Sequence, residues 1–231
     1  MCPTKSKSWL WPVLFACAAL ILPLVAAAPG CAVAGYLGHA LFEPKIKAAH
    51  TLADRPTLVI VDDPRDLLHD ASLLHEMAHG IGRELENRHV LKQVVSGRDL
   101  ADLESRMAAE YRLMPIDRIG SSLGAEQVLH VNVDNVEAGY GRITLSCRVR
   151  VFDVEEARQL FPAGAGSVDA TAASMGLVRV AMPFDAVTTA APGASTLRRR
   201  ALGERVSISV ARLFHDHEPP SQDASLGRSP V

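Results

Sequence analysis

The chain has 231 residues and a formal net charge of -2, with 48% hydrophobic, 5% aromatic and 22% charged residues. This balance excludes disordered, collagen-like and disulfide-scaffold proteins, and the length suits one ordinary domain or two very small ones. Because 24 Lys and Arg are offset by 26 Asp and Glu, the sequence gives no indication of a nucleic-acid partner.

The N-terminal region has the three parts of a secretory signal peptide. Lys5 and Lys7 supply positive charge, residues 9–25 are uncharged and mostly apolar, and small residues follow. We therefore predict a lipoprotein signal peptide over residues 1–30. Two alternatives stay open: the apolar stretch is long enough to remain as a membrane anchor, and an ordinary signal peptidase could cut after residues 26–28.

Cys31 is the predicted site of lipid attachment. It follows Gly30 directly, and the run resembles a bacterial lipobox, with two departures: Ala28 stands where Leu is usual, and Pro29 is an atypical neighbour. A lipid at this position would tether the protein to a membrane with its domain facing the periplasm. The resemblance further implies that Ala32, in place of Asp, favours the outer membrane.

The four cysteines fit this prediction. Cys2 and Cys17 would leave with the signal peptide and Cys31 would carry the lipid, so only Cys147 would remain and no internal disulfide could form. Cys147 lies within the apolar alternation of residues 143–151. We predict that it is a small buried hydrophobic side chain rather than a reactive thiol.

The folded domain is predicted over residues 56–214, after a membrane-proximal tether at 31–55 and before a disordered tail at 215–231. Apolar spacing and turn residues predict its elements. In chain order these are a strand at 57–61, a helix at 71–89, a strand at 90–95, a helix opened by Ser96-Gly97 with Leu100, Leu103, Met107 and Tyr111 buried, a short helix from Pro115 to Gly124, strands at 127–136, 142–153 and 177–184, and a helix at 196–214.

The order β-α-β-α-α-β-β-β-α predicts an α/β (α+β) fold, in which helices pack against a single mixed sheet of about five strands. A hairpin loop is predicted at 139–141, and the Ala/Gly/Ser-rich segments 162–176 and 187–195 are predicted to be mobile. The buried stripe of the first helix is predicted from helical spacing to be Leu74, Met77, Ala78, Ile81 and Leu85.

Three segments resemble motifs of a known group of periplasmic modules. Residues 124–129, which enter a strand, and residues 149–154 and 159–162, which follow the hairpin, are similar to segments of the TolB amino-terminal domain and of related α/β modules, CsgG included. The departure is at 156–157, where Glu-Ala replaces the Thr-Gly that those proteins favour. The resemblance covers residues 56–214. It implies this fold and a periplasmic setting for a bacterial envelope lipoprotein, and it brings no catalytic residue with it.

One motif indicates chemistry. His75, Glu76 and His79 match the HExxH pattern of zinc peptidases, in which two histidines one helical turn apart bind Zn²⁺ and the glutamate activates water. A third ligand would have to come from elsewhere, and Glu104 and Glu110 are nominal candidates. However, the apolar stripe of the helix puts both histidines on its flank and Glu76 nearly opposite. We therefore predict no metal ligand, no catalytic residue and no cofactor, and keep a zinc-dependent metallopeptidase as the alternative.

Three other polar clusters have ordinary structural interpretations. Asp62-Asp63 ends a predicted strand, where α/β ligand sites form, but it also suits a turn before a proline. Residues 198–200 are three arginines that could contact anionic headgroups or simply be solvated. His215, His217 and Glu218 are assigned to the tail. The sequence as a whole predicts a membrane-tethered envelope lipoprotein with a non-catalytic binding or structural role and another envelope protein as its partner.

Overall fold

The computed structural model describes residues 45–139, 142–163, 171–183 and 194–219. The predicted signal peptide, Cys31, most of the predicted tether, parts of both predicted mobile loops and the tail from residue 220 lie outside the described residues. The strands are β1 (Thr57–Asp62), β2 (Gln127–Gly139), β3 (Arg142–Asp153), β4 (Arg158–Phe161) and β5 (Leu177–Pro183), and the helices are α1 (Ala71–Asn87), α2 (Gly97–Arg106), α3 (Ala108–Tyr111), α4 (Ile116–Ser122) and α5 (Ala194–Ala211).

The five strands form one mixed sheet, as predicted. Parallel pairing joins β1 to β2, and β2 and β3 form a long antiparallel hairpin. The length of β3 lets it pair with two strands on its other side, with β4 near its C-terminal end and with β5 along its N-terminal half. The predicted single open sheet with helices packed against it is confirmed.

One side of the sheet, the covered face, is apolar along almost its whole length. Alternate residues of β1, β2 and β3 point to this side, and they pack against α1 and α5. The two helices approach closely at Gly80, where an added Cβ atom would lie 2.4 Å from the Ser207 hydroxyl oxygen. Sheet residues of the covered face are Val59, Val61, Leu129, Val131, Val133, Leu145, Cys147, Val149 and Val151, each at most 7% exposed.

The opposite side, the half-open face, changes character along its strands. At the start of β1 and β2, Leu58, Ile60 and Val128 pack under α2 and α4 in a second apolar cluster. Beyond this cluster most side chains on the same side are polar or charged, and Leu177 and Ala181 of β5 are exceptions. The polar part of the half-open face consists of His130, Asn132, Asn135, Glu137, Arg142, Thr144, Ser146, Arg148, Arg150 and Arg179.

Helix α1 is capped and buried almost as its sequence predicts. The Asp70 carboxylate accepts a hydrogen bond from the Leu73 backbone N–H at 3.2 Å, which satisfies a donor of the first turn. The predicted buried stripe is confirmed at Met77, Ala78, Ile81 and Leu85. In the first turn Leu73, not Leu74, occupies the core, and Leu74 is only partly buried.

The predicted strand at 90–95 is wrong. Only Val94 bridges to Thr57 at the outer edge of β1, and the flanking residues have no strand geometry. The apolar run serves a different purpose, because Leu91 is 2% exposed in the core and Val94 packs against Gly82 of α1. The fifth strand is instead β4, which the sequence did not indicate.

The predicted helix from Ser96 is confirmed in its first part, where the Ser96 hydroxyl caps α2. Met107 then adopts φ -125°, which ends α2 and separates the short α3 from it. Leu100 and Leu103 are buried as predicted, whereas Met107 and Tyr111 are only partly buried. The helix after Pro115 ends as predicted, with Gly124 at φ +71°, a conformation that favours glycine.

The two ends of the described domain are joined to each other. Ile46 and His217 exchange two backbone hydrogen bonds of 2.8 and 3.0 Å, and the Ala49 and His50 N–H groups both donate to the Leu213 carbonyl oxygen. The folded part therefore includes residues on the tether side of the predicted boundary at 56. It also includes residues 215–219, which the sequence assigns to the disordered tail.

Candidate functional site

The HExxH residues lie on the exposed side of α1. His75, Glu76 and His79 are all exposed, as the helical spacing predicts. The His75 Nε2 atom is 3.8 Å from a carboxylate oxygen of Glu104 on α2, so one nominal third ligand lies beside the first histidine. Glu76 and His79 instead border a groove between α1 and α5. The two histidines therefore contact different neighbours.

The groove between α1 and α5 has a volume of about 790 Å³ and a mixed lining. Arg83 and Arg200 contribute positive charge, and Glu76, Glu84 and Glu204 contribute negative charge. Within the described ranges, no group of three or more His, Cys, Asp or Glu side chains is arranged to hold a metal ion. The groove is a surface depression lined by side chains of both charges.

A pair of side chains at the carboxyl end of β1 forms a partly buried polar contact. The His130 Nε2 atom lies 2.8 Å from an oxygen of Asp62, and the His130 side chain is only 8% exposed. Since a carboxylate can only accept a hydrogen bond, Nε2 carries the proton in this contact. The other ring nitrogen, Nδ1, is buried and has no hydrogen-bond partner among the described residues.

Tyr111 extends this polar contact towards α2. Burial raises the pKa of the Tyr111 phenol above its ordinary value, and the carboxylates of Glu104 and Asp62 raise it further. Tyr111 therefore stays a neutral hydroxyl group beside the Glu104 carboxylate. His75, Glu104, Tyr111, Asp62 and His130 thus form a line of polar groups from α1 across α2 and α3 to the half-open face.

The sequence points to His75 and Glu104 through the HExxH hypothesis and to Asp62 through its place at the end of a strand. Asp62 was weighed with Asp63 as a turn pair, and Asp63 does fit that role, since its carboxylate accepts the Leu68 N–H at 2.7 Å. His130 was missed altogether. The alternation of β2 places it on the polar side of a half-buried strand, but nothing local indicates that its partner stands 68 positions earlier.

The polar part of the half-open face carries arginines on neighbouring strands. Arg148 forms an ion pair of 2.8 Å with Asp134. Arg150, two residues on along β3, is half-buried, and Arg179 on β5 is exposed. Neither Arg150 nor Arg179 has an ion pair or hydrogen bond with any residue that the structure describes.

The remaining predicted clusters lie apart from this face. Arg200 is exposed beside the groove, and the side chains of residues 198 and 199 lie outside the described ones. His217 belongs to the bridge with Ile46. No helix in the described part of the chain is both long and apolar enough to cross a membrane.

Cys147 is buried and unpaired in the covered face, as predicted. Burial raises the pKa of its thiol to about 12, and the nearby Asp134 and Asp63 carboxylates add to the rise. Only a negligible fraction of the thiol is therefore ionised near neutral pH. This environment suits a packing residue rather than a nucleophile.

No protein-family model matches the sequence, and no curated protein matches it either. Among solved structures, lipoprotein GNA1162 from Neisseria meningitidis is similar with a TM-score of 0.41 and 13% identity, over 67% of this chain and 99% of its own. The hypothetical protein CT253 from Chlamydia trachomatis has a TM-score of 0.40 and 14% identity, over 69% of this chain and 93% of its own. The LpoB C-terminal domain from Salmonella enterica has a TM-score of 0.33 and 13% identity, over 59% of this chain and 87% of its own. The resemblance to the TolB amino-terminal domain stays a prediction.

Proposed function

We propose that this protein is an envelope lipoprotein, tethered to a membrane by a lipid on Cys31, whose domain has a non-catalytic binding role. In this proposal the domain faces the periplasm, the outer membrane is the favoured location, and the partner is another envelope protein. The observation that carries the proposal is the N-terminal sequence. A positive start, an uncharged apolar run and a small residue before Cys31 form the arrangement typical of a lipoprotein signal, with departures at Ala28 and Pro29.

The described domain supports a binding role in two ways. The polar surface of its sheet is concentrated on one half of one face, beside the contact between buried His130 and half-exposed Asp62. The HExxH residues, in contrast, are exposed and contact different neighbours, which does not favour the metallopeptidase alternative. A binding surface on a stable α/β scaffold fits this arrangement better than a peptidase centre does.

The anchor is tested by metabolic labelling with a fatty acid in the native host. The wild-type protein is expected to incorporate the label and to lose residues 1–30, as measured by its intact mass. Cys31→Ser is expected to abolish labelling, because only the Cys31 thiol receives the lipid. Cys17→Ser is the matched control, since it removes a thiol from the signal peptide and is expected to leave labelling unchanged.

Labelling that persists in Cys31→Ser would contradict the proposal. An unlabelled wild-type protein that keeps residues 1–30 in the membrane would support the retained-anchor alternative. An unlabelled protein cut after residues 26–28 would support plain export.

A further inference from the structure

The polar half of the sheet presents a row of three arginines, two of which have no ion pair with any residue that the structure describes. The row consists of Arg150, Arg148 and Arg179, which lie on β3 and β5. Only Arg148 has a carboxylate partner, Asp134, within the described residues. Like charges held side by side on a sheet repel one another, so such a row is stabilised when an anion covers it.

The strand register sets the spacing of the row. Arg148 and Arg150 are two residues apart on β3, which corresponds to about 7 Å. Arg179 pairs with Ser146, so it is the diagonal neighbour of Arg148 across the β3–β5 ladder, also about 7 Å away. The backbone positions of the three arginines are therefore about 7 Å apart in succession, with Arg179 displaced by one strand from the other two.

This spacing matches an extended acidic peptide. In an extended peptide, side chains at alternate positions lie on one side at intervals of about 7 Å. Acidic residues at every second position of an extended segment would meet the three arginines one by one. The planar guanidinium group binds a carboxylate through two parallel hydrogen bonds, and lysine, which lacks this fork, does not occur in the polar part of the face.

The surroundings favour a peptide over a lipid surface. Most side chains beside the arginines are hydrogen-bonding groups, namely Asn132, Asn135, Thr144 and Ser146, which suit a polar chain. Leu177, opposite Arg148, is half-buried, and Glu137 lies beyond the row, opposite Thr144. Surfaces that insert into a bilayer combine cations with exposed apolar or aromatic groups. The large exposed hydrophobic residues of the described part are Ile46, Leu113 and Met175, and none of them belongs to this face.

We infer that the polar part of the half-open face binds an extended acidic segment of a partner protein, with alternate Asp or Glu side chains held by Arg150, Arg148 and Arg179. The inference rests on the proposed binding role and names the chemistry of the partner. Arg150 and Arg179 supply the new ion pairs, and Arg148 shares its charge between Asp134 and the incoming carboxylate.

The test uses the full-length protein in detergent and a fluorescent twelve-residue peptide in which Glu and Ser alternate. Fluorescence anisotropy at low ionic strength is expected to show saturable binding. A peptide of the same composition with its glutamates in one block is expected to bind several-fold more weakly, because its carboxylates do not match the spacing of the row. Arg150→Gln with Arg179→Gln is expected to weaken binding of the alternating peptide about tenfold.

The matched control is Arg83→Gln with Arg200→Gln, which removes two exposed arginines from the groove between α1 and α5. It changes the net charge equally and is expected to alter affinity by less than about twofold. Equal weakening in both double variants, equal binding of both peptides, or no saturable binding would overturn the inference. So would tighter binding to vesicles containing anionic lipid that depends on the same two arginines, since a membrane would then be the occupant.

Melting temperature and fatty-acid labelling of each double variant complete the test. Both are expected to match the wild type, because the substituted side chains are surface groups far from Cys31 in sequence. Loss of peptide binding with labelling intact would reject the acidic partner and leave the lipoprotein proposal standing. Peptide binding by a protein that carries no label would support the acidic partner and reject the lipid anchor.

Discussion

The two faces of the sheet are made by the same strands and yet have different compositions. On β3, Leu145, Cys147, Val149 and Val151 are fully buried on the covered face, while the residues between them are polar or charged. The covered face packs against two long helices. The half-open face packs against short helices over its first rows only.

The covered face stabilises the fold, and the polar half of the other face is available for recognition. The continuous apolar side buries most of the surface whose removal from water stabilises the fold, at roughly 25 cal/mol per Å². The other side needs apolar residues only beneath α2 and α4, so its remaining positions are free to carry charge. A strand with a period of two can serve both purposes at once.

Adjacent residues of β3 provide the severest test of this contrast. Cys147→Asp puts a carboxylate into the covered face, where Cys147 is 0% exposed, and is expected to unfold the domain. Burying an unpaired charge costs several kcal/mol, comparable with the whole stability of a domain. Ser146→Asp, one residue earlier on the half-open face and opposite Arg179, is expected to change the unfolding free energy by less than about 1 kcal/mol.

Circular dichroism and thermal melting of both variants show whether the two faces differ in their tolerance of a carboxylate. If the two aspartates are tolerated equally, the faces do not differ as described. If both unfold the protein, the polar half is packed against something in the native state.

The rim of the covered face gives a smaller and pH-dependent effect. The Glu156 backbone N–H, at 3.0 Å, and the Arg55 guanidinium, also at 3.0 Å, hold the pKa of Asp153 below its ordinary value. Because the folded pKa is depressed, ionised Asp153 stabilises the fold above its unfolded pKa of about 4, and this stabilisation is lost as the pH falls through the folded pKa.

Asp153→Asn is therefore expected to lower the melting temperature at neutral pH. The difference from the wild type should shrink as the pH is taken below about 4. Asp102→Asn, which alters an exposed carboxylate on α2, serves as the control and is expected to show no such trend. A constant difference for Asp153→Asn across this range would assign its effect to packing rather than to charge.

The smallest effect is expected outside both faces, on the exposed flank of α1. His75→Ala with His79→Ala should shift the unfolding free energy by no more than about 0.5 kcal/mol, because both imidazoles are exposed. Elemental analysis of the purified full-length protein should find no stoichiometric zinc before or after the change. One zinc per chain that disappears in the double variant would revive the metallopeptidase alternative.

Much of the fold could be predicted because its main elements have strong local periodicity. The alternation in β2 and β3 and the helical stripe of α1 are each long enough to determine the element and its buried side. The segment 90–95 has the composition of a strand, but position at the sheet edge decides its structure. Apolar residues there fill the core and cover Gly82 without forming a ladder.

Strand β4, which was not predicted, and the contacts that join the line of polar groups have no local signal in the sequence. Four-residue β4 forms because a turn after Asp153, with Ala157 at φ 47°, returns the chain against β3. His130 gains its meaning from Asp62 on the neighbouring parallel strand, and the arginine row depends on the β3–β5 register. Contacts between distant positions are set by topology, which a single sequence does not display.

The bridge between Ile46 and His217 has a mechanical consequence. If a lipid holds Cys31 in a membrane, a pull transmitted along the chain reaches Ile46 before it reaches β1. The first bonds to bear that load are the two of the bridge, followed by those from Ala49 and His50 to the Leu213 carbonyl oxygen. Force is thus divided between the incoming chain and the segment after α5 before it reaches β1. The sheet and its arginine row are in this way shielded from strain on the anchor.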